Sequence, residues 1–430
     1  MDNGVTTSAR RDETAIHAAG PTAHSTSHLD AAVTGEGMVP VFQPVVSLPD
    51  EAVVGYEALA RWPAYDSLSP LDVFAHATAT GHLDTLDHAC IRSSAAAALA
   101  ATSEPGMLLL LNCEPTTRGI DISAGTALAE ATTRFTTTFE LTERGLLLDP
   151  PALLRKVSAL RSGGVRIALD DIGAHPDSLA LLDIIAPDIM KIDLGLVQRQ
   201  PDQWQTRTIA AVIAHHERTG AVILAEGIET DEHLEQALGY GATLGQGYRF
   251  GRPGALHTVP RGDAVPGLSV PFQHEPADKT PFELATTGHS ARTLRKRTLI
   301  EMSRHIERLA AASESPPIVL FTLQGMDNFQ GMTRQNILAL AERSPLVVAY
   351  AVGAPQDPER TFKWVDIELH DRMALEWSIV VLGPDTAAAL VARELEPAGS
   401  GPENDRRFEA VITFERSRVA QAARSLLNRV

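Results

Sequence analysis

The sequence predicts an α/β protein in which a TIM-like (β/α)₈ barrel precedes a smaller α/β or α+β domain. The chain has 430 residues, more than one hydrophobic core usually serves, so two or three domains are expected. Between Val41 and Gly251, short β-rich runs alternate with longer helical stretches, as in βα units around a parallel sheet. Eight such runs favour a closed barrel; a doubly wound sheet is the alternative.

The chain divides into four segments. Residues 1–37 are rich in Thr, Ser, Ala and Gly without a period, which predicts a disordered leader whose histidines are solvated rather than metal ligands. Residues 38–255 form the predicted barrel domain. Six prolines between residues 252 and 282 predict a linker, placed at 256–284. Residues 285–430 form the second domain.

The predicted elements follow in order. The barrel strands are VFQPVVSL, VVGYEALARW, MLLLLNCE, FTTTFELTE, VRIALDDIG, DIMKIDLGLV, AVILAEGIE and GATLGQGYRF. Periodicity predicts barrel helices at 83–101, 150–162, 177–185, 203–219 and 231–238. In the second domain a long helix, opened by a solvated basic turn, runs from about Ala291 through Ala312. Strands are predicted at PPIVLFTL, LVVAYAV, TFKWVDIEL, WSIVVLG and FEAVITFE, with helices at 332–343, 385–395 and 416–430.

Composition excludes several classes of protein. A net charge of −17 repels a phosphate backbone, so neither DNA nor RNA binding is expected. Two cysteines rule out a disulfide scaffold and a cysteine-rich zinc site, and they fit a reducing compartment. The sequence contains no apolar run of spanning length and no signal peptide, so no membrane association is expected. The cytoplasm is the default location.

Acidic residues close the apolar runs of the predicted barrel. In such barrels the chemistry lies at the carboxyl ends of the strands. An Asp pair at a strand end is as often a helix N-cap, and Glu-Leu-Thr-Glu could be a capping box, so each element alone is weak. The ordered set at successive strand ends is what predicts a site: Glu57, Asn112, Glu140, Glu143, Asp170, Asp171, Lys191, Glu226 and Gln246.

Convergent carboxylates indicate bound metal. In a partly dry pocket they repel one another unless cations neutralise them. Ligands that are all oxygen, without His or Cys, suit Mg²⁺ or Mn²⁺ better than zinc or copper. Two ions are expected, because paired metals are the usual arrangement for displacement at phosphorus.

At this point the sequence resembles a known family. Residues 41–253 are similar to the EAL domain, a metal-dependent phosphodiesterase that linearises cyclic di-GMP to pGpG, with a modified TIM-type barrel. The resemblance covers about half of the chain. It rests on Gln43-Pro44, Glu57-Ala58-Leu59 with Arg61-Trp62, Asn112, Glu140-Leu141-Thr142-Glu143, Asp170-Asp171, Lys191-Ile192-Asp193, Ala225-Glu226-Gly227 and Gln246-Gly247-Tyr248.

The resemblance implies a role for each matching position. The metal ligands are Glu57, Asn112, Glu140, Asp170 and Asp171. Lys191 touches the nucleophilic water, Glu226 is the candidate general base or serves the second metal, and Gln246 holds the geometry of the site. Arg61 pairs with a substrate phosphate, and Gln43, Leu59 and Pro253 also contact the substrate. The family further implies a homodimer through the barrel.

Two departures from the family concern neighbouring loops. After Asp170-Asp171 the family usually has Phe-Gly-Thr-Gly-Tyr-Ser-Ser-Leu, whereas this chain has Ile172-Gly173-Ala174-His175-Pro176-Asp177-Ser178-Leu179. In the family this loop connects the metal site, partly through Glu143, to the dimer interface. Pro176 is expected to stiffen or re-aim it. In addition, Cys113-Glu114 follows Asn112 where a small Ser is commoner. Neither departure removes a metal ligand.

The second domain resembles, more loosely, the DICT sensory domain. The stretches LFTLQGMDNFQ and FKWVDIELHD and the final helix prompt this resemblance. An unknown ligand or protein partner is expected at this domain. Its aromatic residues either line a ligand pocket or form a plain aromatic core, and we favour the core. These residues are Phe321, Phe329, Phe362, Trp364 and Trp377. His370 is read as exposed rather than as a switch. His215 and His216, adjacent on a helix, face different directions and are rejected as a metal pair.

Three functions compete. The first is a cyclic di-GMP phosphodiesterase regulated by its C-terminal domain. The second is a catalytically weak barrel that binds the dinucleotide and signals through that domain. The third is a barrel enzyme of another metal-dependent class. The full ligand set favours the first, because a receptor need not keep Lys191 together with both groups of carboxylates.

Overall fold

A computed structural model describes most of the chain. It covers residues 23–65, 68–102, 104–142, 146–173, 176–256, 268, 279–355, 362–395 and 406–430. The predicted linker lies mainly outside these ranges, as do residues 1–22 of the predicted leader. In the described ranges, helices that combine membrane-spanning length with sufficient apolar character are absent.

Eight strands close into the predicted barrel, and the doubly wound alternative is wrong. Strand β1 runs antiparallel to its neighbours β2 and β8, while the other neighbouring pairs are parallel. The (β/α)₈ architecture is therefore modified at its first strand. The strands are β1 Val39–Ser47, β2 Val53–Arg61, β3 Leu108–Cys113, β4 Thr136–Thr142, β5 Arg166–Ile172, β6 Ile189–Ile192, β7 Val222–Ala225 and β8 Leu244–Gly245.

Helices surround the barrel, and local sequence explains their limits. Asp149 caps the start of α5, whose first two residues are prolines, and Asp202 forms a capping box at the start of α8. The helices are α1 Ala23–Ala32, α2 Pro70–Thr80, α3 Leu83–Ala101, α4 Ala127–Arg134, α5 Pro150–Ser162, α6 Leu182–Ile185, α7 Leu194–Val197, α8 Gln203–Thr219 and α9 Asp231–Gly239. A 3₁₀ helix, Pro176–Leu181, precedes α6.

The prediction of a disordered leader is wrong for the part that the structure describes. Helix α1 buries Leu29 and Ala32, and Val33 follows them into a small core with Trp62 and Leu86. These apolar residues recur at helical spacing, so they cover one patch of the barrel domain. Composition averaged over 37 residues concealed this short periodic segment.

The second domain is built on a seven-stranded mixed sheet in the order β12-β11-β10-β13-β14-β15-β9. Its strands are β9 Arg292–Arg295, β10 Ile318–Gly325, β11 Val347–Val352, β12 Lys363–Asp366, β13 Glu376–Leu382, β14 Ala387–Glu394 and β15 Arg407–Thr413. Its helices are α10 Pro281–Ala285, α11 Lys296–Ala312, α12 Gly331–Ala341 and α13 Arg416–Leu427, with 3₁₀ turns at Met326–Asn328 and Arg372–Leu375.

Two predictions in this domain are wrong. The helix predicted at 385–395 is strand β14, because Ala388, Ala389 and Ala392 are buried between β13 and β15 with helices packed against the strand. Tertiary packing there overrides the helix propensity of alanine. The basic turn at 292–295 is edge strand β9, which pairs with β15, and the long helix begins only at Lys296.

The two domains share one hydrophobic core. Residues Val419, Leu426 and Leu427 of α13 belong to the same buried cluster as Leu182 and Ile185 of α6. Helix α13 packs on α6 and α5. The C-terminal domain therefore contacts the barrel wall directly behind β5.

Candidate active site

A buried lysine lies at the centre of the barrel mouth. Lys191, at the end of β6, is fully buried. Its Nζ lies 2.7 Å from Glu140 Oε1, 2.8 Å from Glu226 Oε1, 3.0 Å from Asp170 Oδ1 and 3.7 Å from Glu57 Oε2. Four carboxylates from β2, β4, β5 and the end of β7 thus converge on one ammonium group, as the strand-end pattern predicted.

Two amides hold Glu57 in place. Asn112 Nδ2 donates to Glu57 Oε1 at 3.0 Å, and Gln246 Nε2 donates to Glu57 Oε2 at 2.6 Å. Asn112 pairs in register with Glu140 on the adjacent strand. The structure therefore places Gln246 within the site through a direct contact with a candidate metal ligand.

Burial and neighbouring charges raise the pKa of some ionisable groups of the site and lower that of Glu57. Burial, together with the charges of Glu57 and Asp170, raises the pKa of Glu140 well above its usual range. Burial also raises the pKa of Glu226, to about 8, against the opposing effect of Lys191. The pKa of Glu57 is lowered instead, because Lys191 and the two amides outweigh its burial. The carboxylates likewise outweigh burial at Lys191 and raise its pKa.

The site has an excess of negative charge that fits a hard cation. Carboxylate oxygens of Asp170, Asp171 and Glu226 all lie within 4.8 Å of one another. Apart from its ion pair with Lys191, the Glu140 carboxylate accepts no hydrogen bond from the described part of the chain. An all-oxygen donor set of this kind suits Mg²⁺ or Mn²⁺.

The backbone of Asp171 has an unusual conformation. Its φ of +56° lies in the left-handed region, which costs free energy for a residue other than glycine. Its N–H donates to Asp170 Oδ1 at 2.9 Å. This turn directs two consecutive carboxylates toward the mouth, whereas regular strand geometry would point them to opposite faces.

A glycine brings β8 close to the segment after β7. A side chain at Gly247 would place Cβ 2.1 Å from the carbonyl oxygen of Ile228. The backbones hydrogen-bond across this contact, from Ile228 N to Gln246 O and from Gln246 N to Ala225 O. The absence of a side chain at residue 247 therefore allows Gln246 and Glu226 to lie in the same mouth.

The predicted substrate contacts are less closely grouped. Leu59, Arg61 and Asn112 line one cavity of about 230 Å³ beside the mouth. Arg61 Nη1 donates to the Ala60 carbonyl oxygen at 2.8 Å. Gln43 pairs in register with Glu57, across β1 and β2.

The remaining predictions for this region concern Pro253 and the two loops. Pro253 is half-buried next to Gly254, which bridges to Phe42 on β1. Glu143 lies outside the described residues, as do Ala174 and His175 of the loop that departs from the family.

Sequence reasoning missed two charged residues that hold the end of β3. Asp87 Oδ2 accepts from the backbone N–H of Glu114 at 3.1 Å, and Lys156 Nζ donates to the Glu114 carbonyl oxygen at 2.6 Å. Burial raises the pKa of Asp87 to about 7. The available signal was an aspartate on the apolar face of α3, between Leu86 and Cys90.

The other candidates have structural partners. His215 Nδ1 lies 3.3 Å from Asp183 Oδ1, whereas His216 Nδ1 lies 2.7 Å from the Ala221 carbonyl oxygen, so the two rings face apart as expected. The ring centroids of Phe329 and Trp364 lie 4.8 Å apart in an edge-on contact, packed against a separate buried cluster of the C-terminal domain, which agrees with the plain-core interpretation. His370 is exposed beside Glu368.

The fold and the site define the class of (β/α)₈-barrel proteins that gather carboxylates around one buried lysine at the mouth. The family model of the EAL domain matches residues 27–253, more than half of the chain. The chain belongs to the EAL domain family. Residues 282–395 match the DICT family, described as a sensory domain in diguanylate cyclases and two-component systems. Both resemblances are confirmed.

Curated relatives match the barrel region. The cyclic di-GMP phosphodiesterase RocR of Pseudomonas aeruginosa is 31% identical over 227 residues, 49% of this chain and 56% of that protein. The probable cyclic di-GMP phosphodiesterase PdeG of Escherichia coli is 29% identical over 243 residues, 52% of this chain and 46% of that protein. The chain spans about half or less of the length of the curated relatives it matches.

Solved structures resemble about half of the chain. The PaMucR phosphodiesterase in complex with c-di-GMP has a TM-score of 0.45 and 22% identity, covering 54% of this chain and 97% of that one. The manganese and c-di-GMP complex of Klebsiella pneumoniae BlrP1 at pH 9.0 has a TM-score of 0.43 and 26% identity, covering 51% of this chain and 56% of that one.

Proposed function

We propose that this protein hydrolyses cyclic di-GMP to linear pGpG in a metal-dependent reaction. The observation that carries the proposal is the convergence of four carboxylates on Lys191, with Asp171 as a fifth acidic group beside them. One ammonium group does not neutralise five carboxylates. Further positive charge is needed for all of them to stay ionised in a buried mouth.

Each polar residue of the mouth has a proposed task. Two Mg²⁺ or Mn²⁺ ions, held by Glu57, Asn112, Glu140, Asp170 and Asp171, would activate water and stabilise charge at phosphorus. Glu226 Oε1, 2.8 Å from Lys191 Nζ, is the proposed proton acceptor, and Lys191 orients the attacking water. Gln246 keeps Glu57 in position through its hydrogen bond. Gln43, Leu59, Arg61 and Pro253 are proposed to contact the substrate, and Glu143 to act on the loop after Asp171.

The C-terminal domain contacts the segment of the barrel that follows two residues of the site along the chain. Arg416 of α13 donates to Asp183 Oδ2 at 2.6 Å, and Arg424 donates to the backbone carbonyls of Asp183 and Ile184. Asp183 lies on α6, in the segment that follows Asp170 and Asp171 along the chain. We therefore propose that a ligand or partner of the C-terminal domain acts on hydrolysis through α13 and α6.

Chromatography of cyclic di-GMP incubated with the full chain tests the proposed activity. With Mg²⁺ or Mn²⁺ we expect linear pGpG, and with EDTA none. Glu57→Ala is expected to abolish product, because it removes a candidate metal ligand that contacts Asn112 and Gln246. Glu217→Ala, on the exposed face of α8, is the matched control and should keep full activity. Product from Glu57→Ala at the normal rate would contradict the assignment.

The receptor alternative is distinguished in the same experiment. Binding of cyclic di-GMP without linear product, with metal present, would contradict the enzymatic function and support the receptor function.

The proposed homodimer through the barrel is tested by sedimentation of the full chain, which should give twice the mass of 46.1 kDa.

A further inference from the structure

A second cavity lies outside the candidate active site, between the segment after β3 and helix α5. Its volume is about 450 Å³, and it is lined by parts of 115–122 and of α5. Its three charged lining residues, Arg118, Arg155 and Lys156, are all basic. Three basic residues without an acidic one are unexpected in the lining of a cavity when the chain has 54 acidic and 37 basic residues.

The three basic side chains of this cavity differ in the partners that they contact. Arg118 is 78% exposed and lies 4.0 Å from Asp149, so that ion pair is weak. Lys156 donates to the Glu114 carbonyl oxygen at 2.6 Å and to Cys113 Sγ at 3.6 Å, which leaves one of its three N–H groups for a further acceptor. Arg155 is exposed on α5, and the described residues supply no ion-pair partner for it. The planar guanidinium group of Arg155 can therefore bind an anion in a bidentate manner.

The rest of the lining is largely apolar. Pro115, Ile120, Ile122 and Leu160 supply aliphatic surface next to the cations. A bare inorganic anion would leave this surface without a partner. The cavity volume lies within the range of pockets that hold small organic ligands. The lining thus fits a molecule with one phosphate group and a flat or aliphatic body.

We propose that this cavity is a binding site for a small organic phosphate of the size of a nucleoside monophosphate. The proposal does not depend on hydrolysis of cyclic di-GMP. It concerns residues that none of the metal or substrate assignments above uses. Lys156 connects the cavity to the candidate active site, because the Glu114 carbonyl that it holds is two residues beyond Asn112.

Equilibrium dialysis of the full chain with labelled AMP in EDTA tests the proposal. We expect one bound AMP per chain and an affinity that falls as salt is raised, because the recognition is electrostatic. Arg155→Gln should weaken binding roughly tenfold or more, and Arg155→Glu should abolish it, since charge-assisted hydrogen bonds are lost. Arg199→Gln, an exposed arginine on another surface, is the matched control and should bind normally.

Two further arms make the result decisive. Arg61→Gln, beside the candidate active site, should leave AMP binding unchanged. If Arg61→Gln instead lost AMP binding while Arg155→Gln bound AMP normally, the nucleotide would lie in the cavity next to Arg61, and the proposal would be overturned. Inorganic phosphate should compete more weakly than AMP, and equal competition would overturn the organic-ester assignment. Because Arg155 is exposed, its variants are expected to fold, and thermal unfolding of each variant checks this. No binding of AMP by the folded wild-type chain would refute the site.

Discussion

Replacing Lys191 by methionine tests the electrostatic reasoning about the barrel mouth. The substitution keeps an unbranched side chain but removes the ammonium group that lies 2.7 to 3.7 Å from four carboxylate oxygens. At an effective dielectric constant of about 20, each of these distances corresponds to roughly 4 to 6 kcal/mol of direct attraction when the carboxylate is ionised. The carboxylates would respond by binding protons, which recovers much of this energy.

The net loss is therefore much smaller than the sum of the pairs. Removing one partner from a buried ion pair typically destabilises a protein by about 3 to 5 kcal/mol, and we expect a loss of that size in the metal-free state. Added Mg²⁺ or Mn²⁺ should restore part of it, because a divalent cation can replace the missing positive charge. The variant should accordingly gain more stability from metal than the wild type gains.

Urea unfolding of both chains at pH 7, in EDTA and in Mn²⁺, measures these differences. Lys363→Met is the matched control, because Lys363 is exposed on β12 in the C-terminal domain, and it should change stability little. A Lys191→Met chain as stable as the wild type in EDTA would refute the reasoning, since the carboxylates would then tolerate one another without a cation. Equal gains from Mn²⁺ in both chains would argue against metal near Lys191.

Three other substitutions, one of them with a control variant, test separate parts of the structure. Burial raises the pKa of Asp87 from 3.8 to about 7, so the folded state binds a proton that the unfolded chain loses, and stability falls as pH rises through this range. The difference in unfolding free energy between wild type and Asp87→Asn should therefore shift by about 2 kcal/mol in favour of the variant from pH 5 to pH 7, and no shift would contradict the buried neutral carboxyl. Gly55→Ala would place Cβ 2.2 Å from the Leu108 carbonyl oxygen and should destabilise the barrel by about 1 to 3 kcal/mol or more in urea unfolding. Gly239→Ala, at the end of α9, is the control, because the added Cβ would have no neighbouring atom within 4 Å. It should be neutral or slightly stabilising. Arg416→Gln removes the hydrogen bond to Asp183 Oδ2 together with those to the carbonyl oxygens of Gly383 and Pro384, and it should lower the unfolding free energy of the full chain by about 1 to 3 kcal/mol. An unchanged value would contradict the contact between the domains.

Much of the fold was predictable because its signals are local. Helix α3 occupies 83–101 and helix α8 occupies 203–219, as their periodicity indicated. The four leucines of β3 read as a buried strand, and all four are fully buried. The strand at 387–394 was not predictable in this way, because alanine favours a helix and only the neighbouring strands select the extended form.

The residues of the candidate site also differ in whether the sequence could predict them. Acidic residues at strand ends could be collected from the sequence, since the barrel topology places such ends at one mouth. The contacts of Asp87 and Lys156 with Glu114 could not, because an aspartate on the apolar face of a helix marks a buried polar group without identifying its partner. The left-handed backbone of Asp171 was equally invisible in the residue types.

By itself, the sequence determined the order of the eight barrel strands, the family of the barrel and the residue types available at its mouth. Only the tertiary structure decided that Lys191 contacts four carboxylates, that β1 runs antiparallel to its neighbours and that Arg416 reaches Asp183 across 233 positions. The physical reason is that hydrophobic periodicity and capping act over a few residues. Ion pairs and close backbone contacts instead depend on distances that exist only after the chain has closed its sheets.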